Sequence, residues 1–105
     1  MNVVILSGRL GKEPELKRTH KDNTPYCVLL VATDEPYFLD GERKELTEWH
    51  SVMVFGKQGE NCAKCLSKGQ QVEVRGTLTS YTSADNGRVT VVRADDVRFG
   101  QKSKK

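Results

Sequence analysis

The chain has 105 residues, which is enough for one domain and too few for two. Charged residues make up 30% of it and hydrophobic residues 36%, and the net charge of +3 permits an acidic partner without requiring one. No apolar run approaches a membrane span, the first residues lack the features of a secretory signal, and three cysteines argue against a secreted disulfide scaffold. We therefore expect a cytoplasmic protein.

The first half of the sequence predicts extended segments. Residues 2–10 form an apolar run rich in β-branched residues, and Pro14 begins a second, polar extended piece. Residues 26–33 are apolar on both faces, which predicts a strand that is covered on both sides. The stretch from 34 to 45 is polar, and we expect a long loop there, of a length that often carries function.

The segment TEWHSVMVFGK, residues 47–57, predicts a further strand that lacks a polar face. Val52 and Val54 lie on one face of this strand. Trp49 and Phe55 lie on the other face, about 20 Å apart. Large aromatic side chains on a face that should meet water need an explanation.

The second half predicts one helix and two strands. Cys62, Cys65 and Leu66 recur at helical spacing between 58 and 67. Residues 70–81 alternate, so that Val72, Val74 and Leu78 face inward and Arg75 and Tyr81 outward. ADNG, residues 84–87, is a hairpin-turn signal before a last strand over 88–99.

This order of elements predicts an all-β fold with one short helix. Five strands with Gly8, Gly56 and Gly76 at sharp bends can close into a barrel that the helix plugs at one end. That architecture is the oligonucleotide/oligosaccharide-binding (OB) fold. We assign residues 1–100 to this domain and residues 101–105 to a short basic tail.

The outward aromatic side chains predict a nucleic-acid interface, because bases stack on flat rings while Lys and Arg meet the phosphates. An exposed apolar row could equally be a subunit contact. The candidate DNA-binding residues are Trp49, Phe55, Tyr37, Tyr81, Lys57, Lys68, Arg75 and Arg18.

TEWHSVMVFGK, followed by the helix and KGQQVEVRG, resembles the bacterial single-stranded DNA-binding protein family. NVVILSGRLGKEPELKRT and VLLVATDEPY resemble the same family, so the match runs through Phe99. The resemblance implies that Trp49 and Phe55 stack on bases, that Tyr37 replaces a tryptophan, and that Lys57 and Lys68 lie near the DNA backbone.

The resemblance also implies a non-enzymatic protein without a cofactor. It would be a homotetramer, with His50 at a subunit contact, that binds single-stranded DNA without sequence preference. It would act in replication, recombination or repair, at the nucleoid and alongside other replication and repair proteins.

The chain departs from the family pattern in three ways. A stacking tryptophan in the hairpin between the fourth and fifth strands is missing, although Tyr81 stands two residues earlier, and that hairpin is short. The sequence ends in KSKK rather than in an acidic tail that recruits other proteins. An alternative is therefore a dimeric OB-fold assembly factor similar to primosomal replication protein N, which acts in replication restart.

CAKC, residues 62–65, suggests a third hypothesis, a redox or zinc protein. A redox pair needs a βαβ unit, and a zinc site needs a second pair of ligands; neither is evident, so we expect no metal site. We expect Cys65 to pack inward and Cys62 to be partly exposed. No nucleophile–base constellation indicates an enzyme.

Overall fold

The computed structural model describes residues 1–85 and 87–101. Within these residues the chain forms six strands and one helix, in the order β1 (Val4–Leu10), β2 (Glu15–Arg18), β3 (Pro25–Leu39), β4 (Glu42–Phe55), α1 (Gly56–Cys65), β5 (Gln71–Ser83) and β6 (Gly87–Phe99). No helix in this part of the chain is long and apolar enough to cross a membrane.

Five of the strands close into a barrel. The sheet order is β1-β5-β6-β4-β3-β2, and an additional pairing between β1 and β3 closes β1, β5, β6, β4 and β3 into a ring. At this closure Arg9 lies opposite Ala32, and Leu10 lies opposite Val31. The short strand β2 pairs with the start of β3, outside the closed ring. The predicted five-stranded OB barrel with one helix is therefore confirmed.

The barrel interior is filled by the inward rows of the strands and by one side of the helix. Leu29, Val52, Val54 and Val74 are almost completely buried at its centre. Cys62 of α1 completes this cluster at the end of the barrel. The helix approaches closely because it carries Gly59, where an added Cβ would lie 2.1 Å from the carbonyl oxygen of Val54.

The expected loop over 34–45 is wrong, because β3 and β4 continue through it as a hairpin. Their pairing runs without a break from Tyr26 opposite Phe55 to Leu39 opposite Glu42. The turn consists of Asp40 and Gly41, which have φ of 53° and 78°, as a tight Asp-Gly turn requires. Every residue from 34 to 46 is exposed. A hairpin with solvent on both sides carries polar residues on both, and its composition therefore resembles that of a loop.

The helix begins two residues earlier than predicted, and this reverses the expected orientation of the cysteines. Cys62 is fully buried, whereas Cys65 is exposed and its Sγ lies 3.8 Å from Oδ1 of Asn61. With a start at Gly56, the side of the helix that faces the barrel carries Gly59 and Cys62. The expectation for both cysteines was therefore wrong.

Strand β5 leaves the barrel after Gly76, where its pairing with β6 shifts by one residue. Val72 and Val74 are buried as predicted, but Leu78 is 48% exposed rather than inward-facing. The amide side chain of Asn2 exchanges two hydrogen bonds with the backbone of Leu78, both 2.9 Å long. The predicted β5–β6 hairpin is present; Asn86 of its turn and residues 102–105 of the tail lie outside the described residues.

Candidate nucleic-acid interface

The outward row of β4 is the centre of the candidate interface. Val52 and Val54 are buried in the barrel, so the alternating residues Trp49, Met53 and Phe55 point away from it. Trp49 is 55% exposed. We call the outer side of the sheet that carries this row the Trp49 face.

Two residues that the sequence did not predict hold the ring of Phe55. Tyr26 lies directly opposite on β3, and the two ring centroids are 5.3 Å apart with planes inclined by 30°. The guanidinium carbon of Arg93, on β6, lies 5.1 Å from the centroid of Phe55. An aromatic pair and a cation over the ring each stabilise such an arrangement. The ring of Phe55, which is half-buried, is therefore held in place by Tyr26 with a cation over it.

The indole of Trp49 lies against the backbone that follows β1. An added Cβ on Gly11 would lie 2.3 Å from Cζ3 of Trp49, so the absence of a side chain at Gly11 makes room for the ring. Ala32, opposite Trp49 on β3, is buried. The ring is thus supported from below while more than half of its side-chain surface meets solvent.

An ion pair lies next to Trp49 on the same side of the sheet. Nη1 of Arg9 donates to Oδ2 of Asp34 at 2.6 Å, and Oγ1 of Thr47 donates to Oδ1 at 2.6 Å. The hydrogen bonds from Thr47 and Arg9 lower the pKa of Asp34. Asp34 is thus held as a carboxylate whose charge is balanced by Arg9.

A groove of about 310 Å³ crosses the Trp49 face. Its lining brings Tyr81 together with the centre of β4 and includes Lys17. The residues that line it are Lys17, Thr19, Tyr26, Val28, Ser51, Met53, Tyr81, Val89 and Val91. The groove joins apolar and aromatic side chains to a lysine, which suits a stacked base and its phosphate.

The predicted cations are distributed unevenly around this face. Lys57 is exposed at the start of α1, two residues after Phe55. Lys68 is exposed in the turn after the helix, where its backbone N–H donates to Oε2 of Glu13 at 3.2 Å. Both lysines lie beyond the ends of the β-strands. Their exposed side chains are therefore accessible to the phosphates of a nucleic acid.

Arg18 and Arg75 are not grouped with the aromatic row. Arg18 follows Lys17 in β2, and alternation along the strand puts their side chains on opposite sides. Arg18 therefore points away from the groove that Lys17 lines. Its Nη1 donates to the carbonyl of Asn23 at 3.2 Å. Arg75 lies about 20 Å from Tyr81 along β5, opposite Ile5 on β1.

Tyr37 lies on β3 and not on a loop, on the side of the hairpin away from Trp49. It is opposite Lys44, and this register puts both on the side of His50. The neighbouring Phe38, which the sequence analysis did not single out, lies on the Trp49 side. The register of the hairpin, which the sequence alone does not give, decides which of these two adjacent aromatic residues lies on the Trp49 side.

His50 lies on the opposite side of β4 from Trp49, as predicted. It is half-buried, and its Nε2 lies 2.9 Å from Oγ1 of Thr33. Leu78, His50 and Thr90 line a surface depression together with Trp49, Ser51, Val91 and Val92.

The CAKC motif does not form a paired site. Burial raises the pKa of Cys27 to about 11 and that of Cys62 to about 12, so both remain protonated thiols at neutral pH. Among residues 1–85 and 87–101, no group of three or more His, Cys, Asp or Glu side chains could hold a metal ion.

Comparison with known sequences relates the chain to a protein family. The model of the single-strand binding protein family matches residues 1–100. A single-stranded DNA-binding protein of Clostridium tetani is 39% identical over 103 residues, which is 94% of this chain and 70% of that protein. One from Xylella fastidiosa is 36% identical over 103 residues, 94% of this chain and 63% of that protein.

Solved structures agree with this match. A deletion mutant of the single-stranded DNA-binding protein from Thermus aquaticus superimposes with a TM-score of 0.85 and 25% identity, over 96% of this chain and 51% of that one. A Plasmodium falciparum SSB in complex with single-stranded DNA superimposes with a TM-score of 0.80 and 27% identity, over 96% of both chains. The chain therefore belongs to the single-strand binding protein family.

Proposed function

We propose that this protein binds single-stranded DNA across the Trp49 face, by stacking bases on aromatic rings and by pairing phosphates with lysine and arginine. The observation that carries the proposal is the outward position of Trp49 and Phe55 on one row of β4, with Arg93 over the second ring. The relatives named for single-stranded DNA binding, and the neighbour solved with single-stranded DNA, support it.

Binding of this kind needs no catalytic group, and it shows little preference for base sequence. Every base presents a π-face, so each stacked base contributes about 1–3 kcal/mol whatever its identity. Lys17, Lys57 and Lys68 supply a further attraction that weakens as salt rises, because counterions are released from the phosphates. We assign Tyr81, in the groove, a weaker stacking contact with a base. Arg18 and Arg75 would contact phosphates at the edges of the interface.

We further propose that the protein acts as a homo-oligomer of OB barrels, four subunits rather than two, with His50 at a subunit contact. The half-buried His50 and the exposed Leu78 line the same surface depression, and this supports a protein contact there. A mass measurement in solution tests this point: a dimer would instead favour the assembly-factor alternative. The family match and the named relatives favour the DNA-binding hypothesis over that alternative.

The cellular role follows from the binding mode. We propose that residues 1–100 protect unpaired DNA during replication, recombination or repair, in the cytoplasm at the nucleoid, where replication and repair proteins are its neighbours.

The direct experiment uses the single tryptophan of the chain as the probe. Adding oligo(dT) should quench the fluorescence of Trp49, and a Trp49→Ala variant should lose about 1–3 kcal/mol of affinity while keeping its fold. Affinity measured with a labelled oligo(dT) at two salt concentrations gives the phosphate contribution. Unquenched fluorescence together with unchanged affinity in the variant would remove Trp49 from the interface.

A further inference from the structure

The two sides of the β3–β4 hairpin carry different side chains. The pairing is continuous along the hairpin, and residues directly opposite each other point to the same side, with alternation along each strand. Phe38, opposite Arg43, therefore shares its side with Trp49. Tyr37, opposite Lys44, lies on the other side. Twist rotates both sides gradually along the hairpin but does not exchange them.

Phe38 extends the aromatic row of the Trp49 face. It is 72% exposed, more than Trp49 at 55%. Its partner Arg43 is six residues from Trp49, which places the two rings about 20 Å apart, and Phe55 lies about 20 Å from Trp49 in the other direction. The three positions thus follow one another on the same side of β4, at nearly even intervals over a strand length of about 40 Å.

The charges on the two sides also differ. On the Trp49 side, each carboxylate of the hairpin has a basic partner: Arg9 pairs with Asp34 at 2.6 Å and Arg43 with Glu45 at 3.8 Å. Along the paired residues of the hairpin on this side, a phosphate backbone therefore meets no carboxylate without a basic partner.

On the Tyr37 side the balance is negative. Three glutamates and one lysine lie there by register, and the lysine pairs with one of the glutamates at 3.6 Å. The residues of this side are Glu35, Tyr37, Leu39, Glu42, Lys44, Leu46 and Glu48. An acidic surface repels phosphates, so an aromatic ring on this side is poorly placed to receive a base.

We infer that Phe38 is a base-stacking position that lengthens the DNA path along the hairpin, and that Tyr37 takes no part in stacking. The inference rests on the proposed function, because it adds a ring to the same interface. It reverses the expectation drawn from the resemblance, which assigned this role to Tyr37.

The first experiment compares Phe38→Ala with the matched control Tyr37→Ala, using end-labelled oligo(dT) and fluorescence anisotropy. An oligonucleotide of about 16 nucleotides, the upper end of the range for one OB fold, should span all three rings, whereas one of about 5 spans two neighbouring rings and can still bind between Trp49 and Phe55 when Phe38 is removed. Phe38→Ala should weaken binding of the long oligonucleotide by about 5- to 150-fold and leave the short one unchanged. Tyr37→Ala should change neither.

The second experiment moves the fluorescent probe and keeps an aromatic ring at each position, so that folding is preserved. In a Trp49→Phe background, Phe38→Trp makes the indole at 38 the single tryptophan, and Tyr37→Trp provides the control. The tryptophan at 38 should be quenched by the long oligo(dT), and that at 37 should not.

The outcomes separate the two proposals. If Trp49→Ala weakens binding but Phe38→Ala leaves the long oligonucleotide unaffected, the inference is wrong and the proposed function stands. Equal losses or equal quenching at 37 and 38 would also overturn it. If the unaltered protein does not bind oligo(dT) at all, the proposed function itself fails.

Discussion

The rings of Phe55 and Tyr26 lie side by side across the central strands, 5.3 Å apart between centroids. They are 29 positions apart in the chain and meet because β3 and β4 pair in a register that sets them directly opposite. Arg93 reaches the same ring from β6, whose parallel pairing with β4 places it opposite Met53. Three strands therefore converge on one aromatic platform.

Tyr26 should act on DNA binding through Phe55. Phe55→Ala removes a stacking ring and should cost about 1–3 kcal/mol of affinity for oligo(dT). Tyr26→Ala removes the neighbour that orders the ring and should cost about 1 kcal/mol, in the range of one aromatic pair. Tyr26→Phe keeps the ring and should bind like the unaltered protein.

The double variant measures the coupling between the two rings. In the Phe55→Ala background, Tyr26→Ala should have almost no further effect on affinity, because the ring that it supports is already gone. Strictly additive losses would instead mean that Tyr26 meets the DNA independently.

Gly11 should control the position of Trp49. An added Cβ would lie 2.3 Å from Cζ3 of the indole, which can swing outward while the backbone stays in place. Gly11→Ala should therefore reduce affinity for oligo(dT) by up to about 3 kcal/mol, the value of one stacked base, with little change in unfolding temperature. A shift in tryptophan emission would report the displaced ring. In a Trp49→Ala background the same change should have no effect on binding.

The ion pair beside Trp49 should make stability depend on pH. Hydrogen bonds from Thr47 and Arg9 lower the pKa of Asp34 below its ordinary value of 3.8, so the folded state favours the carboxylate. Its contribution to stability is present above about pH 4 and is lost as the pH falls through the lowered value.

The variant Asp34→Asn separates this contribution from other acid effects. Thermal unfolding at pH 7 should show a destabilised variant, and at pH 3 the difference from the unaltered protein should shrink. Thr47→Val should shift the pKa of Asp34 toward 3.8, which an NMR titration of that carboxyl can follow. A difference that is the same at both pH values would contradict the assignment.

Local patterns predicted the barrel because its strands are runs rich in β-branched and aromatic residues, bounded by turn signals, and residues 70–81 alternate clearly. The inward positions of Val52 and Val54 and the outward positions of Trp49 and Phe55 follow from side-chain period alone, whatever strands pair with them. The closure between β1 and β3 follows less directly, from the order of elements and the glycines at the bends.

The rest of the site depends on non-local register, which no single segment encodes. Tyr26 and Arg93 lie beside Phe55 because of pairings with distant strands. The side on which Tyr37 lies could not be predicted, because the hairpin was taken for a loop. The prediction of which side of the helix packs inward was wrong for a similar reason. A start at Gly56 is set by the close approach to the barrel at Gly59, and this determines that Cys62, not Cys65, is buried.

The cysteines should react in two distinct classes. Cys65 is exposed, so a thiol reagent such as DTNB should label one cysteine per folded chain rapidly at pH 8, and Cys65→Ser should abolish this fast phase. Cys27 and Cys62 should react only after unfolding in denaturant, because burial shields them and raises their pKa to about 11 and about 12. Since the folded state favours the neutral thiols, their contribution to stability should be complete below pH 9 and decline as the pH rises toward these values. Rapid labelling of two thiols in the folded Cys65→Ser variant would contradict the buried position of Cys62.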